Sequence, residues 1–241
     1  MGTRKIYVIA GIVLAGFGNT LWAQDVNEIL TKHEKAIGGM DNWNKVKNIK
    51  WKGVLNTQGA EVRATNIVVP GKEMTFDTDF GGTINHQVVI RNKDQAVFIT
   101  WPAKEDSINM DAMNASWPQF NIRANQLLGF KEEGTKTEYM GEEAINNAPC
   151  YKIKCTSKTG FEFTCFIDKT SYYLVRTESL INSNDEDKEV SVGYSDYKEA
   201  GGGIMLPMSM ATSHGEMVFS KTELNVPVTD STFKAAPPET K

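Results

Sequence analysis

The sequence is poor in the residues from which enzymes build metal sites and activated nucleophiles. Its 241 residues include three cysteines and three histidines. The histidines, His33, His86 and His214, are far apart and share no metal-ligand spacing. The zinc-protease, nucleophile-elbow, phosphate-loop and dinucleotide-binding motifs are also missing from the sequence. We therefore expect no catalytic residues, no metal and no cofactor.

Runs of basic residues are absent as well. The chain has 26 Lys and Arg against 30 Asp and Glu, a formal net charge of −4. A mildly acidic surface does not favour nucleic acid or anionic lipid headgroups, so we expect no nucleic-acid partner. An oxygen-rich stretch at 182–188 lacks the spacing of a calcium loop. The sequence predicts a solvated polar loop there.

Long apolar runs are confined to the N-terminus. Residues 6–18 are mostly apolar, follow Arg4 and Lys5, and precede the small residue Ala23. This order is typical of a secretory signal peptide, and the run is shorter than the ~20 residues of a membrane helix. We expect residues 1–23 to be a signal peptide cleaved after Ala23, and 24–241 to form one exported domain. The residue directly after that site is not a cysteine that could carry a lipid anchor.

Alternation of apolar and polar side chains dominates the rest of the chain. It is clearest at 150–178, where Tyr151, Ile153 and Cys155 alternate with polar residues and are followed by a turn and a second alternating run. A period of two predicts antiparallel strands with one buried face, here a three-stranded meander. Further strands are predicted at 49–55, 61–69, 72–79, 83–91 and 95–101, and from about 137 onward, with a final hairpin at 204–214 and 216–225 and a frayed tail at 235–241.

Two segments do not follow the strand period. Asp25 is a predicted helix cap, and apolar residues at 26–37 lie on one helical face that ends at Gly38 and Gly39. A short second turn is predicted around Trp43. Residues 102–130 are rich in large apolar side chains without a clear period. We interpret them as a loop, one or two short helices and a second loop.

The three cysteines leave two alternatives open. If residues 158–160 form the turn, Cys155 lies near Phe163 and Cys165 near Ile153. An odd number in an exported chain leaves at least one thiol unpaired. The pattern favours small buried hydrophobes over a disulfide.

Methionine and aromatic residues are the candidates for ligand contacts. Methionine is flexible and recurs at surfaces that bind varied apolar partners, although each one could equally fill the core. We predict an apolar groove on the concave face of the sheet. Its candidate lining is Met74, Phe76, Phe98, Trp101, Met113, Trp117, Phe120, Ile153, Phe163 and Met208.

A series of strand-and-turn motifs runs along nearly the whole chain after the signal. They are NEILTKHEKAIGG at 27–39, YMGEEAI at 139–145, APCYKIK at 148–154, FIDKTSYYLVR at 166–176, YSDYKE at 194–199, GIMLP at 203–207 and LNVPVTDSTF at 224–233. In this order they resemble the LolA-like outer-membrane lipoprotein-sorting proteins of the Bacteroidetes type.

The resemblance implies a mainly β (α+β) fold. It would be an open antiparallel β-barrel or strongly curved sheet, with an N-terminal helix and short helices covering the concave face. It also implies a periplasmic, non-catalytic protein whose groove receives acyl chains. LolA carriers use an arginine to hold their lid, and Arg63, Arg91 and Arg123 match it by residue type only.

Three functions follow as hypotheses. The first is a monomeric periplasmic carrier of lipid or lipoprotein acyl chains. The second is a LolA-like sensor that binds a partner protein of the outer or inner membrane. The third is a hydrolase of envelope components, which the lack of a nucleophile–base pattern disfavours.

Overall fold

A computed structural model describes residues 25–100, 104–183, 186–213, 215–229, 231–235 and 239–240. Within these residues the chain forms four short helices and fourteen strands. The helices are α1 Val26–Ala36, α2 Met40–Trp43, α3 Met110–Ser116 and α4 Ile122–Asn125. The strands are β1 Ile49–Thr57, β2 Ala60–Val69, β3 Glu73–Phe80, β4 Thr83–Asn92, β5 Gln95–Thr100, β6 Lys104–Asn109, β7 Lys136–Ile145, β8 Ala148–Thr156, β9 Glu162–Asp168, β10 Leu174–Ser183, β11 Glu186–Gly201, β12 Ile204–Thr212, β13 Gly215–Leu224 and β14 Glu239–Thr240. The predicted signal peptide, Trp101 and His214 lie outside the described residues.

The strands form one antiparallel sheet built from two meanders. Its order is β6-β5-β4-β3-β2-β1-β13-β12-β11-β10-β9-β8-β7, and β14 pairs with β4 off this path. In the described residues β6 and β7 are the two edges and do not pair with each other, so the sheet stays open. Helix α3 contacts β5 and β6 near one edge and also β10 and β11 of the other meander, which shows that the sheet is curled. The predicted fold class is confirmed.

The pairing of β1 with β13 joins the two meanders. A register shift between Lys52 and Gly53 marks an irregularity in this pair. A Cβ at Gly53 would lie 2.1 Å from the backbone oxygen of Val218, so the strands can approach this closely only because residue 53 is glycine.

The concave face of the sheet is covered by helices and loops. α1 buries Ile29 and Leu30, and α2 buries Trp43. The segment Met110–Phe130, called the cover segment below, contributes the other buried apolar side chains of the cover. These residues share one core cluster with concave-face residues of both meanders. None of the helices in the described part of the chain has the length and apolar character needed to cross a bilayer.

The cysteines confirm the predicted register of the β8–β9 hairpin. Cys155 pairs with Phe163, and Ile153 pairs with Cys165. Cys155 and Cys165 are in the main core with their sulfur atoms 3.9 Å apart. Cys150 belongs to a small cluster on the opposite face, and all three thiols are free and buried. The interpretation as small buried hydrophobes is confirmed.

The structure corrects three local predictions. The first is that residues 104–109, predicted as loop, form β6. This strand has no alternating signal because its side chains are mostly polar and exposed at an edge. The second concerns residues 182–188, which were predicted as a loop. Strands β10 and β11 extend into this range, and Asn182 pairs with Asp187. The third is the tail, where residues 239–240 pair with β4 through backbone groups that a side-chain pattern does not reveal.

His33 on α1 connects three parts of the structure. Its Nδ1 lies 2.7 Å from the carbonyl oxygen of Tyr172, and its Nε2 lies 2.8 Å from that of Gln126 in the cover segment. The side chain is fully buried. Burial disfavours the charged imidazolium and lowers the pKa of His33, although the two carbonyl acceptors offset part of this effect.

We expect the free energy of unfolding to fall as the pH drops below about 6.5, because unfolded His33 takes up a proton at its ordinary pKa and folded His33 does not. The loss is at most about 1.4 kcal/mol per pH unit until the folded pKa is reached. Denaturant unfolding between about pH 7.5 and 5.5 measures it. The His33→Gln variant should have a flatter profile; equal slopes would contradict this assignment.

Candidate functional site

A cleft of about 590 Å³ at one end of the curled sheet is one of several concave sites of similar volume in the described residues. It lies between β4–β6 on one side and β10 on the other, with α3 at its base. This volume is in the range of small-molecule sites. The cleft is lined by Gln87, Phe98, Thr100, Lys104, Asp106, Ser107, Ile108, Asn109, Ala112, Ser116, Trp117, Ile181 and Asn182.

The inner wall of the cleft is aromatic. Trp117, which caps the C-terminus of α3, has its ring centroid 5.9 Å from that of Phe98 on β5. Behind it, Phe76 on β3 meets Trp117 edge to face at 5.3 Å. Ring contacts of this kind are favourable and bring apolar surface from the sheet and the cover segment together. The result is an apolar floor, to which Ile108 and Ile181 add.

The rim of the cleft is polar. Gln87, Thr100 and Lys104 occupy directly paired positions on β4, β5 and β6, so their side chains lie in a row on one face. Asp106, two residues along β6 from Lys104, is on the same face and exposed. An apolar floor with a polar rim suits a molecule that has a hydrocarbon part and a polar part.

The ten predicted ligand residues separate into groups. Phe98 and Trp117 line the cleft, and Phe76 contacts Trp117 behind it. Phe163 is half-buried on β9 and packs against the core, and Trp101 lies outside the described residues. The other five are buried in the core: Met74, Met113, Phe120, Ile153 and Met208.

Sequence reasoning missed the polar part of the site. Gln87 and Thr100 lie on predicted strands and interrupt apolar runs there, so their inward position could have been suspected. Lys104 and Ile108 belong to β6, which the pattern did not reveal. Ile181 comes from the other meander and reaches the cleft only through the curl of the sheet.

A few polar contacts hold the cover segment in place. Arg123 on α4 donates from Nη1 to the Trp43 carbonyl oxygen at 2.6 Å and from Nη2 to Asn44 Oδ1 at 3.0 Å. The Gly71 N–H donates to the Phe120 carbonyl oxygen at 2.8 Å. Arg63 and Arg91 do not take part, since Arg63 pairs with Asp79 and Arg91 donates to the Lys93 carbonyl oxygen. Of these three arginines, Arg123 is the one whose side-chain hydrogen bonds join the cover segment to residues 43 and 44.

The solved structures that are similar to this chain include two that bear on its fold. One is a LolA superfamily protein from Nitrosomonas europaea, with a TM-score of 0.57 and 12% sequence identity, covering 86% of this chain and 96% of that one. The other is a domain assigned to outer-membrane lipoprotein-sorting proteins from Vibrio parahaemolyticus, with a TM-score of 0.53 and 13% identity, covering 86% and 95%. The chain has a LolA-like fold. No protein-family model matches the sequence, and none of the curated proteins is a detectable relative.

The cleft and the cover segment both belong to this LolA-like architecture. The likeness establishes the architecture, and the resemblance inferred from the sequence motifs is confirmed at that level. Because the cover segment both forms the base of the cleft and buries the concave face, its attachment decides how accessible that face is.

Replacing Arg123 with methionine should loosen the cover segment, since the Trp43 carbonyl and the Asn44 side chain lose their charged donor. We expect faster amide hydrogen exchange at 110–130 and a free energy of unfolding lower by about 1–3 kcal/mol. The matched control is Arg63→Met, whose side chain on the outer face is 74% exposed. It should change stability by no more than about 0.5 kcal/mol. Unchanged exchange at 110–130 in Arg123→Met would count against the fastening role.

Proposed function

We propose that this protein is a periplasmic carrier that binds acyl chains of lipoproteins or other lipids, with a role in the sorting of envelope lipids or lipoproteins. The observation that supports this most is the cleft with an aromatic floor and a polar rim at the mouth of an open sheet. Such a site can shield hydrocarbon from water on its apolar floor. The LolA-like fold and the export signal expected at 1–23 support the same proposal.

The energetics of the site suit a carrier rather than an enzyme. Each buried CH₂ group contributes about 0.8 kcal/mol, so an acyl chain can drive binding without any specific chemical step. Movement of the cover segment would increase the apolar surface available to an acyl chain, because Met113 and Phe120 of this segment are buried in the core. Displacement of the cover by cargo would exchange one set of apolar contacts for another.

The first test is the cargo itself. Protein purified from the envelope fraction of its native host should carry lipid, which native mass spectrometry and organic extraction would detect. We also expect the delipidated protein to bind a fluorescent acyl probe. A protein that is free of lipid on isolation and does not bind the probe would contradict the carrier proposal.

The second test uses two neighbours on β10. Ile181 lines the cleft, whereas Leu180 points to the opposite face and is 59% exposed. Ile181→Asp places a charge against the hydrocarbon and should weaken binding of the acyl probe by about tenfold or more. Leu180→Asp introduces the same charge one residue away and should leave the affinity unchanged. Equal effects of the two variants would exclude the cleft as the binding site.

A further inference from the structure

An asparagine in the interior of the molecule has unused hydrogen-bonding capacity. Asn66 on β2 belongs to the concave face and is 1% exposed. Neither its Nδ2 nor its Oδ1 has a hydrogen-bond partner among the described residues. Its directly paired neighbour Trp51 on β1 is fully buried, and its Nε1 also has no partner there. Buried polar groups are nearly always hydrogen-bonded, so three such atoms at paired positions point to a molecule that binds there.

The sheet around these atoms is electrically neutral. The residues that share the concave face with Asn66 on β1, β2 and β3 are all uncharged, namely Ile49, Trp51, Gly53, Ala64, Val68, Met74, Phe76 and Thr78. An ionised carboxylate buried here would lose its hydration without gaining a cation. The free donors and acceptor therefore fit an uncharged polar group.

Asn66 lies in line with the cleft. Asn66, Phe76, Gln87 and Thr100 are directly paired across β2, β3, β4 and β5, and the last two line the cleft. Adjacent strands are about 4.8 Å apart, so Asn66 is about 10 Å inward from Gln87. The ring of Phe76, packed edge to face on Trp117, stands between them. A ligand that reached Asn66 from the cleft would have to displace these two side chains.

We propose that Asn66 and Trp51 bind the uncharged head group of an acyl amphiphile whose chain runs back past Phe76 and Trp117 into the cleft. The inference rests on the proposed function and narrows the cargo class. The Asn66 amide can donate to a carbonyl oxygen and accept from an N–H or O–H, and Trp51 supplies a second donor. Carboxamides and hydroxyl-bearing esters have this combination, whereas a fatty-acid anion has acceptors and a charge.

Oleamide and oleate provide the test, since they share one chain and differ in the head group. Their affinities are measured by displacement of the acyl probe at about pH 8.5, where a carboxylic acid is ionised. Wild-type protein should bind oleamide about tenfold more tightly than oleate. Asn66→Leu should weaken oleamide binding by about tenfold and abolish the preference.

The matched control is another buried asparagine. Asn48 is 5% exposed, precedes β1 and does not line the cleft; its Nδ2 donates to the Val226 carbonyl oxygen, whereas its Oδ1 has no partner among the described residues. Asn48→Leu should leave the affinity for oleamide unchanged. If Asn66→Leu does not fold, the side-chain ¹⁵N–H₂ resonance of Asn66 in the wild-type protein provides the same information. It should shift on addition of oleamide and not on addition of oleate.

Different failures have different meanings. Equal wild-type affinities for oleamide and oleate, unchanged oleamide binding by Asn66→Leu, or an unmoved Asn66 resonance would each overturn this inference and leave the carrier proposal in place. If oleamide, oleate and the acyl probe all fail to bind, the carrier proposal fails and this inference with it.

Discussion

Burial of the concave face is the constraint on which the rest of the structure depends. An open sheet of this width exposes a large apolar surface unless something packs against it. Here α1, α2 and the cover segment pack against the concave face, and they bury Trp51, Ile153 and other concave residues of both meanders. The polar contacts that fasten the cover segment include those of Arg123, the backbone bond between Gly71 and Phe120, and the contacts of Gln126 with His33 and Tyr197. The cover therefore stabilises the fold and also sets how accessible the concave face is.

The junction of β1 with β13 joins the apolar faces of the two meanders into one continuous concave face. Each meander alone is a sheet with one apolar face. Their close approach at Gly53 aligns the two faces, and the curl then brings β10 opposite β5 and β6. The cleft lies where the two ends of the sheet come near each other around α3. Its apolar floor and polar rim come from strands that are far apart in the sequence.

The polarity of the concave face is not uniform. At the mouth, Gln87, Thr100 and Lys104 form a polar row, whereas the centre is filled with methionine, aromatic and aliphatic side chains. Asn66 is an exception within that centre, because its amide has no partner in the described part of the chain. Such a group lowers stability, because the hydration that it loses on burial is not replaced by a hydrogen bond.

Features that depend on neighbours along the chain could be predicted from the sequence, whereas features that depend on distant residues could not. Strand alternation, the Asp25 cap of α1 and the pairing of Cys155 with Phe163 were predictable, because side-chain alternation and capping depend on neighbours along the chain. β6 and β14 were not, since an edge strand and a paired tail are held by backbone bonds to distant strands.

The site divides in the same way. The sequence by itself indicated that Phe76, Phe98 and Trp117 were candidates for apolar contacts, and their residue types were sufficient for that. Only the tertiary structure placed Phe98 and Trp117 at one cleft, with Phe76 behind them, and left Met74 in the core, because each position depends on the curl of the whole sheet. It also selected Arg123 from three arginines of equal type, since the carbonyl and amide that it binds come from a helix about 80 residues earlier in the chain.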